Sequence, residues 1–94
     1  MEISERFDLV SNEYGKFELV ENKKSKRPDL HAFIFLDGLF EPSDRDIVSS
    51  AGHDVIYLET SSEDIEKLTD GQILELTRCG VMYDSENDCL AMFV

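Results

Sequence analysis

Apolar and polar residues alternate in the first part of the chain, on both sides of a polar segment at 12–15. The alternating apolar positions are Phe7, Leu9, Phe17 and Leu19. A period of two around a four-residue turn that ends in Gly15 is typical of an antiparallel β-hairpin with one solvated face. We therefore predict an N-terminal hairpin, which the basic, proline-terminated loop 23–28 brings to an end.

The segment 30–36 is apolar at nearly every position, a pattern that fits a strand covered on both faces. We predict that this segment is the central strand. After it, Ser43 is a suitable N-cap for a short helix at 44–51, and Gly52 can end that helix in a left-handed conformation. The segment 54–59 is expected to form a strand that runs parallel to the central strand after a right-handed crossover.

Two capping-box patterns follow, at 60–63 and 69–72, in which a hydroxyl residue precedes an acidic or amide residue by three positions. They predict two short helices, at 63–68 and 70–79, with Gly80 as the C-terminal stop. The positions expected to face inward are Ile65, Leu68, Ile73 and Leu76.

The last part of the chain predicts a C-terminal hairpin in which 81–84 pairs with 89–94 around an acidic turn at 85–88. One face of the hairpin is expected to belong to the core: Val81, Tyr83, Leu90 and Met92. The other face is also apolar and is expected to be only partly solvated: Met82, Cys89, Ala91 and Phe93.

These patterns together predict a single small α+β domain that spans residues 1–94. Its expected architecture is a mixed five- or six-strand sheet with N- and C-terminal hairpins and two to three short helices. A chain of 94 residues, 41% of them apolar, is long enough to bury one core without cross-links. Cys79 and Cys89 are expected to be reduced, half-buried thiols, because the predicted hairpin register keeps them apart.

The distribution of charge is the most informative property of the composition. Nine basic and 21 acidic residues give a net charge of -12. Residues 1–30 hold six basic and seven acidic side chains, or -1, whereas residues 31–94 hold three basic and fourteen acidic side chains, or -11. Such a field repels nucleic-acid phosphates and anionic lipids and attracts basic protein surfaces, although surplus charge also simply keeps small proteins soluble. We therefore predict no direct nucleic-acid binding.

Targeting signals also bear on where the chain acts. No stretch approaches the roughly 18 apolar residues that a membrane span needs, and residues 1–5 lack the basic-then-apolar pattern of a secretory signal. We therefore expect a cytoplasmic protein without membrane contact.

The strongest metal-like pattern is D-x-E-x-D at 84–88, which imitates the first three ligand positions of an EF-hand loop. The sixth position, which that loop requires to be glycine, is Cys89, so we interpret the pattern as an acidic turn. His31, His53 and the two cysteines lack the spacing of a zinc site. No nucleophile motif or phosphate-binding loop is present. We therefore expect no metal, no cofactor and no enzyme activity.

The acidic side chains expected to project from the last two helices and the hairpin turn are the candidate partner-binding residues: Glu63, Asp64, Glu66, Asp70, Glu75, Asp84, Glu86 and Asp88. Carboxylates on neighbouring helical turns lie about 5–6 Å apart, close to the spacing of phosphates along a nucleic-acid strand. The function that we predict is a small non-enzymatic inhibitor or regulator of a basic protein. A nuclease or another nucleic-acid-binding protein is the sharpest case, by analogy of size and charge with phage counter-defence and immunity proteins.

An alternative function uses the apolar face of the C-terminal hairpin, chiefly Met82, Ala91 and Phe93. That face would make the chain a structural or assembly module, which forms a homodimer or docks on another protein. The basic loop at 23–27 is open to two interpretations. It balances the local charge, or it gives the molecule a dipole that orients docking.

Overall fold

The computed structural model describes residues 1–40 and 44–93. In chain order the regular elements are α1 (Ile3–Asp8), two 3-10 helices (Ser11–Glu13 and Phe17–Leu19), α2 (Pro28–Leu39), β1 (Val48–Ala51), β2 (Val55–Leu58), α3 (Ser62–Glu66), α4 (Asp70–Arg78), β3 (Val81–Asp84) and β4 (Cys89–Phe93). The predicted α+β class is confirmed, with four α-helices and four strands in this part of the chain. None of the helices described has the length and apolar character needed to cross a membrane.

The four described strands form one sheet in the order β1-β2-β4-β3, and each neighbouring pair is antiparallel. The predicted mixed sheet of five or six strands is therefore wrong, as is its parallel pair. The C-terminal hairpin is confirmed in its predicted register, since Val81 pairs with Met92 and Tyr83 with Leu90.

The predicted N-terminal hairpin is wrong, because its first strand is helix α1 and its second is a short 3-10 helix. Helix α1 is supported at its start by Glu5, whose carboxylate accepts a hydrogen bond from the backbone N–H of Glu2 at 3.3 Å. Of the four alternating apolar residues only Phe7 is buried, and Leu9 and Leu19 are exposed. The period of two therefore did not mark one face of a strand.

The predicted central strand at 30–36 is wrong as well, because this segment lies within helix α2. Pro28 occupies the start of α2, where its missing N–H costs no helical hydrogen bond and its fixed backbone angle favours a helix. Residues Ala32 and Leu36, one turn apart, are buried, whereas Ile34 is 42% exposed. A continuous apolar run fits a buried strand and a buried helix equally well, and this run does not mark a fully buried element.

The segment predicted as a helix at 44–51 contains strand β1 instead. Its proposed cap, Ser43, lies outside the described residues. Gly52 begins the turn between β1 and β2, and its N–H donates to the carbonyl of Val55 at 2.8 Å. Gly52 does not adopt the left-handed conformation expected of a helix stop. The strand at 54–59 is confirmed as β2, with β1 as its antiparallel neighbour.

Helices α3 and α4 are confirmed close to their predicted bounds. The box at 69–72 is present in full, because Thr69 Oγ1 accepts from the N–H of Gln72 at 3.1 Å and Gln72 Oε1 accepts from the N–H of Thr69 at 2.8 Å. The N-cap of the first helix is Ser61, one residue after the predicted cap Thr60, and its hydroxyl accepts the N–H of Asp64 at 3.2 Å. The four residues predicted to face inward are all buried: Ile65, Leu68, Ile73 and Leu76.

The core lies between the helices and one face of the sheet, and its most deeply buried side chains are Leu58, Ile65, Ile73, Leu76, Val81 and Leu90. The opposite sheet face carries Val55, Tyr57, Met82 and Phe93, none of which belongs to this core cluster. Ala91 lies between Tyr57 and Met82 in the register and is buried. The two predicted faces of the C-terminal hairpin are thus confirmed, with Phe93 62% exposed at the end of the second.

Candidate protein-binding surface

Helix α3 supplies three of the eight predicted binding residues. Glu63 and Asp64 lie in its first turn, where the helix dipole favours negative charge, and Glu66 is its last residue. Glu63 and Glu66 are exposed, and Asp64 is half-buried. The Ser61 cap fixes the start of this five-residue helix, so the position of its carboxylates is set by local chemistry.

Asp70 lies at the start of α4 and is bound by Arg6 of α1. Arg6 Nη2 donates to Asp70 Oδ1 at 2.9 Å and to the carbonyl of Leu68 at 2.6 Å. The Asp70 side chain is nevertheless 95% exposed, so the pair itself is worth little in water. The more important consequence is positional, because Arg6 attaches helix α1 to the turn between α3 and α4.

Glu75 is half-buried, and its carboxylate is directed at α2. Its Oε2 atom lies 2.9 Å from Nε2 of His31, a residue of α2 that is only 1% exposed. The other ring nitrogen of His31, Nδ1, accepts the backbone N–H of Lys24 at 3.0 Å. Because a backbone N–H can only donate, Nε2 carries the ring proton and donates to Glu75. Glu75 therefore links α4 to α2 and contributes less to the acidic surface than its sequence position suggests.

The hairpin turn carries the remaining three predicted residues. Asp84 accepts hydrogen bonds from Asn87 Nδ2 at 2.7 Å and from the N–H of Glu86 at 3.0 Å. The bond from the Asn87 side chain is the main reason that the pKa of Asp84 lies below its usual value. Asp84 therefore stays charged while its oxygens are used within the turn.

Asp88 is the second acidic residue of this turn that a hydrogen bond holds in place. It accepts the Tyr83 hydroxyl at 2.6 Å, and this hydrogen bond is the largest cause of a rise in the pKa of Tyr83 to about 12. In the residues that the structure describes, no three His, Cys, Asp or Glu side chains form a group that could hold a metal ion. Within the D-x-E-x-D pattern at 84–88, oxygens of Asp84 and Asp88 accept hydrogen bonds within the hairpin.

Two of the predicted residues, Glu66 and Asp88, line the same open depression on the surface. Glu2, Arg6 and Tyr83 line it as well, so the depression joins the start of α1, the end of α3 and the hairpin turn. We call this site the acidic depression. Its carboxylates come from Glu2, Glu66 and Asp88. Arg6, which also lines it, already binds Asp70 and the Leu68 carbonyl.

Sequence reasoning missed the contribution of α1 to this site. Residues 1–30 are nearly neutral as a block, which hid the fact that Glu2 folds beside Glu66 and Asp88. Of the basic residues in the same block, Arg6 also lines the depression, whereas Lys23 lies elsewhere. Lys23 Nζ donates to the carbonyl of Val20 at 3.0 Å and lies 5.2 Å from the centre of the Phe17 ring. The one sequence signal that indicates a helix start here is the pair of glutamates at positions 2 and 5, which are three residues apart.

Compared with protein-family models, curated proteins and solved structures, the chain matches none of them.

Proposed function

We propose that this protein is a small non-enzymatic binding protein that engages a basic protein partner through the acidic depression and the adjacent carboxylates of α3. The observation that carries the proposal is the convergence of Glu2, Glu66 and Asp88 from three separate parts of the chain. A surface of this kind attracts Lys and Arg side chains and speeds their encounter at low salt.

The sharper form of the proposal is that the protein inhibits or regulates a nucleic-acid-binding protein by occupying its nucleic-acid site. Support comes from the -11 net charge of residues 31–94, which matches a phosphate-binding surface and repels nucleic acid itself. Glu63 and Glu66 are exposed on one short helix, three residues apart, and so lie on one face of it. A partner that binds these groups should release the protein as salt or competing nucleic acid is added.

The experiment compares two variants with the same change in net charge. One carries Glu63→Lys, Glu66→Lys and Asp88→Asn, in which the asparagine can still accept the Tyr83 hydroxyl. The control carries three exposed acidic residues outside the depression, as Glu18→Lys, Glu21→Lys and Asp37→Asn. Each tagged protein is used to capture partners from a lysate of its natural cells across a salt series, with and without added DNA or RNA.

The proposal predicts that the captured basic protein is lost from the first variant, with affinity reduced about tenfold or more, and retained by the control. Displacement of the partner by DNA or RNA would support the sharper form. Equal loss of the partner from both variants would show that net charge alone accounts for the binding. Equal retention would contradict a role for the acidic depression.

The alternative, an assembly module, is favoured by the apolar sheet face that lies opposite the core. Phe93 is 62% exposed there, and Val55, Tyr57 and Met82 share that face. If two copies bury this face, sedimentation should show a dimer that persists at high salt and that Phe93→Ser dissociates. A salt-sensitive complex with a basic partner would instead favour the first function.

A further inference from the structure

The two outer strands of the sheet differ in how their free edges are protected. At one edge, β1 has an irregular register between Val48 and Ser50, and Ser49 uses its hydroxyl to bind the carbonyl of Tyr57 at 3.1 Å. Bulges and polar side chains are common means of preventing an edge strand from pairing with another chain. The β1 edge is therefore poorly suited to accept a further strand.

The other edge strand, β3, has no bulge, although its last residue is the charged Asp84 and the ring of Phe7 from α1 stacks on Tyr83. Its four residues, Val81–Asp84, pair in unbroken register with β4. Among the described residues, β4 alone forms backbone hydrogen bonds with β3. The outward-facing N–H and C=O groups of a regular edge strand are a template for one more strand. At roughly 3.3 Å per residue, this edge offers about 13 Å of pairing length.

An open groove of about 310 Å³ runs beside the β3 edge, and its two walls differ in chemistry. On the helical side the wall includes Asp8, Ser11 and Tyr14. On the sheet side it includes Met82 and Phe93, which lie on the apolar face opposite the core. The helical wall thus offers a carboxylate and hydroxyl groups beside the largely buried Phe7, and the sheet wall offers apolar side chains together with the Tyr83 ring.

Side chains of an extended segment alternate between two sides, so a strand bound in this groove would present every second residue to each wall. We propose that the β3 edge and its groove bind an extended segment of a partner protein in which basic and apolar residues alternate. The basic side chains face Asp8 and the apolar ones pack on Met82 and Phe93. This binding site shares only Tyr83 with the acidic depression and does not depend on the function proposed for that depression.

Charge complementarity selects a basic partner segment over a second copy of this chain. Asp8 lines one wall, and β3 ends at Asp84, whose lowered pKa keeps it ionised. A second copy would bring a further net charge of -12 and another strand that ends in aspartate against this same wall. A segment with alternating lysines meets the opposite sign on the side where the carboxylate lies.

The test titrates the ¹⁵N-labelled full chain with a six-residue peptide, acetyl-Lys-Val-Lys-Val-Lys-Val-amide, and follows the amide resonances by NMR. A peptide of the same composition in blocks, acetyl-Lys-Lys-Lys-Val-Val-Val-amide, controls for charge. Asp8→Asn and Phe93→Ser alter one residue on each wall. Leu9→Ser is the matched control, because Leu9 is 67% exposed and does not line this groove.

We expect the alternating peptide to shift the amides of 81–84 and 93, and the block peptide to bind at least fivefold more weakly. Asp8→Asn and Phe93→Ser should each weaken binding at least threefold, while Leu9→Ser should leave it unchanged. Absence of any shift at millimolar peptide, equal binding of the two peptides, or shifts confined to the acidic depression would each overturn the proposal. Formation of a stable homodimer through β3 in the absence of peptide would also overturn it.

Discussion

Arg78 donates two hydrogen bonds to the same carboxylate oxygen of Glu13, a residue 65 positions earlier in the chain. The distances to Glu13 Oε1 are 3.2 Å from Nε and 2.6 Å from Nη2. Lys16 Nζ binds the other oxygen at 3.0 Å, and the N–H of Gly15 donates to the carbonyl of Thr77 at 3.1 Å. These bonds attach the first 3-10 helix to the end of α4 and help to form the helical wall of the β3 groove.

The Glu13 carboxylate makes the stability of this attachment dependent on pH. The hydrogen bond from Arg78, and after it the one from Lys16, lowers the pKa of Glu13 below its ordinary value of 4.5. A lowered pKa means that the carboxylate stabilises the fold above pH 4.5 and that this contribution is lost as the pH falls through the lowered pKa. We therefore expect Glu13→Gln to be less stable than the parent at pH 7, and by a smaller margin at about pH 3.

Urea unfolding at the two pH values measures the difference between Glu13→Gln and the parent. Glu18→Gln is the matched control, since Glu18 is an exposed glutamate of the neighbouring 3-10 helix. A stability difference of the same size at both pH values would contradict the assignment of this effect to the ionised Glu13 carboxylate.

His31 is the polar centre that joins α2, α4 and the basic loop. It is 1% exposed, and its ring also stacks on Phe35 with the ring centres 6.1 Å apart. His31→Phe keeps a ring in this space but leaves the Lys24 N–H and the Glu75 carboxylate without their partner. We expect this variant to lose about 2–4 kcal/mol of unfolding free energy, since each stranded group costs about 1–3 kcal/mol.

Two further variants separate the bonds of His31. In Asn the side-chain oxygen can take the place of Nδ1, so His31→Asn should keep the bond from Lys24 and lose the one to Glu75. Glu75→Gln keeps an acceptor for His31 and should cost less than about 1 kcal/mol. Chemical denaturation measures all three, and a His31→Phe variant as stable as the parent would show that the two hydrogen bonds add nothing.

The contrast between the two halves of the chain shows what its sequence could predict. In the C-terminal half the deciding signals are local: the Thr69 capping box, Gly80 after α4, and the alternation that sets the register of β3 and β4. In the N-terminal half the apolar run at 30–36 fits a helix or a strand. The local signal that favours the helix, Pro28 at its first position, was interpreted only as the end of the basic loop.

The candidate site was less predictable because it depends on contacts between distant residues. No local pattern indicates that His31 forms a hydrogen bond with Glu75, 44 residues away, or that Arg6 binds Asp70, 64 residues away. These contacts move two of the eight predicted carboxylates into structural roles. They also bring α1 and its Glu2 to the acidic depression. A count of charges along the chain does not indicate that Glu2 belongs to this site.

The two free cysteines should differ sharply in reactivity. Cys79 is 3% exposed, and burial is the main cause, with Glu75 second, of a rise in its pKa to about 12. Cys89 is half-buried, and its pKa is raised chiefly by burial and then by Asp84 and Asp88. Because the thiolate is the reactive form, both should react slowly with iodoacetamide at pH 8, and Cys89 should react first.

Peptide mass spectrometry over time measures the two rates. Unfolding in urea should accelerate both cysteines and make their rates nearly equal, with the larger acceleration at Cys79. Faster modification of Cys79 than of Cys89 in the folded protein would contradict the burial of the Cys79 thiol beneath α4.

Substitution by alanine should change the stability in opposite directions at two glycines, one after the end of α4 and one in its first turn. Gly80 follows the helix with φ of 89°, in the left-handed region that side chains disfavour, and an added Cβ would meet only the Tyr14 hydroxyl at an ordinary 3.9 Å. The cost of Gly80→Ala is therefore in the backbone, about 1–2 kcal/mol.

Gly71 lies in the first turn of α4, and its Cβ would lie 4.0 Å from Thr69 Oγ1. Gly71→Ala should stabilise by roughly 0.5 kcal/mol, because it reduces the freedom of the unfolded chain. Urea midpoints at constant denaturant slope measure both changes, and a Gly80→Ala variant as stable as Gly71→Ala would mean that the left-handed turn after α4 is not formed in solution.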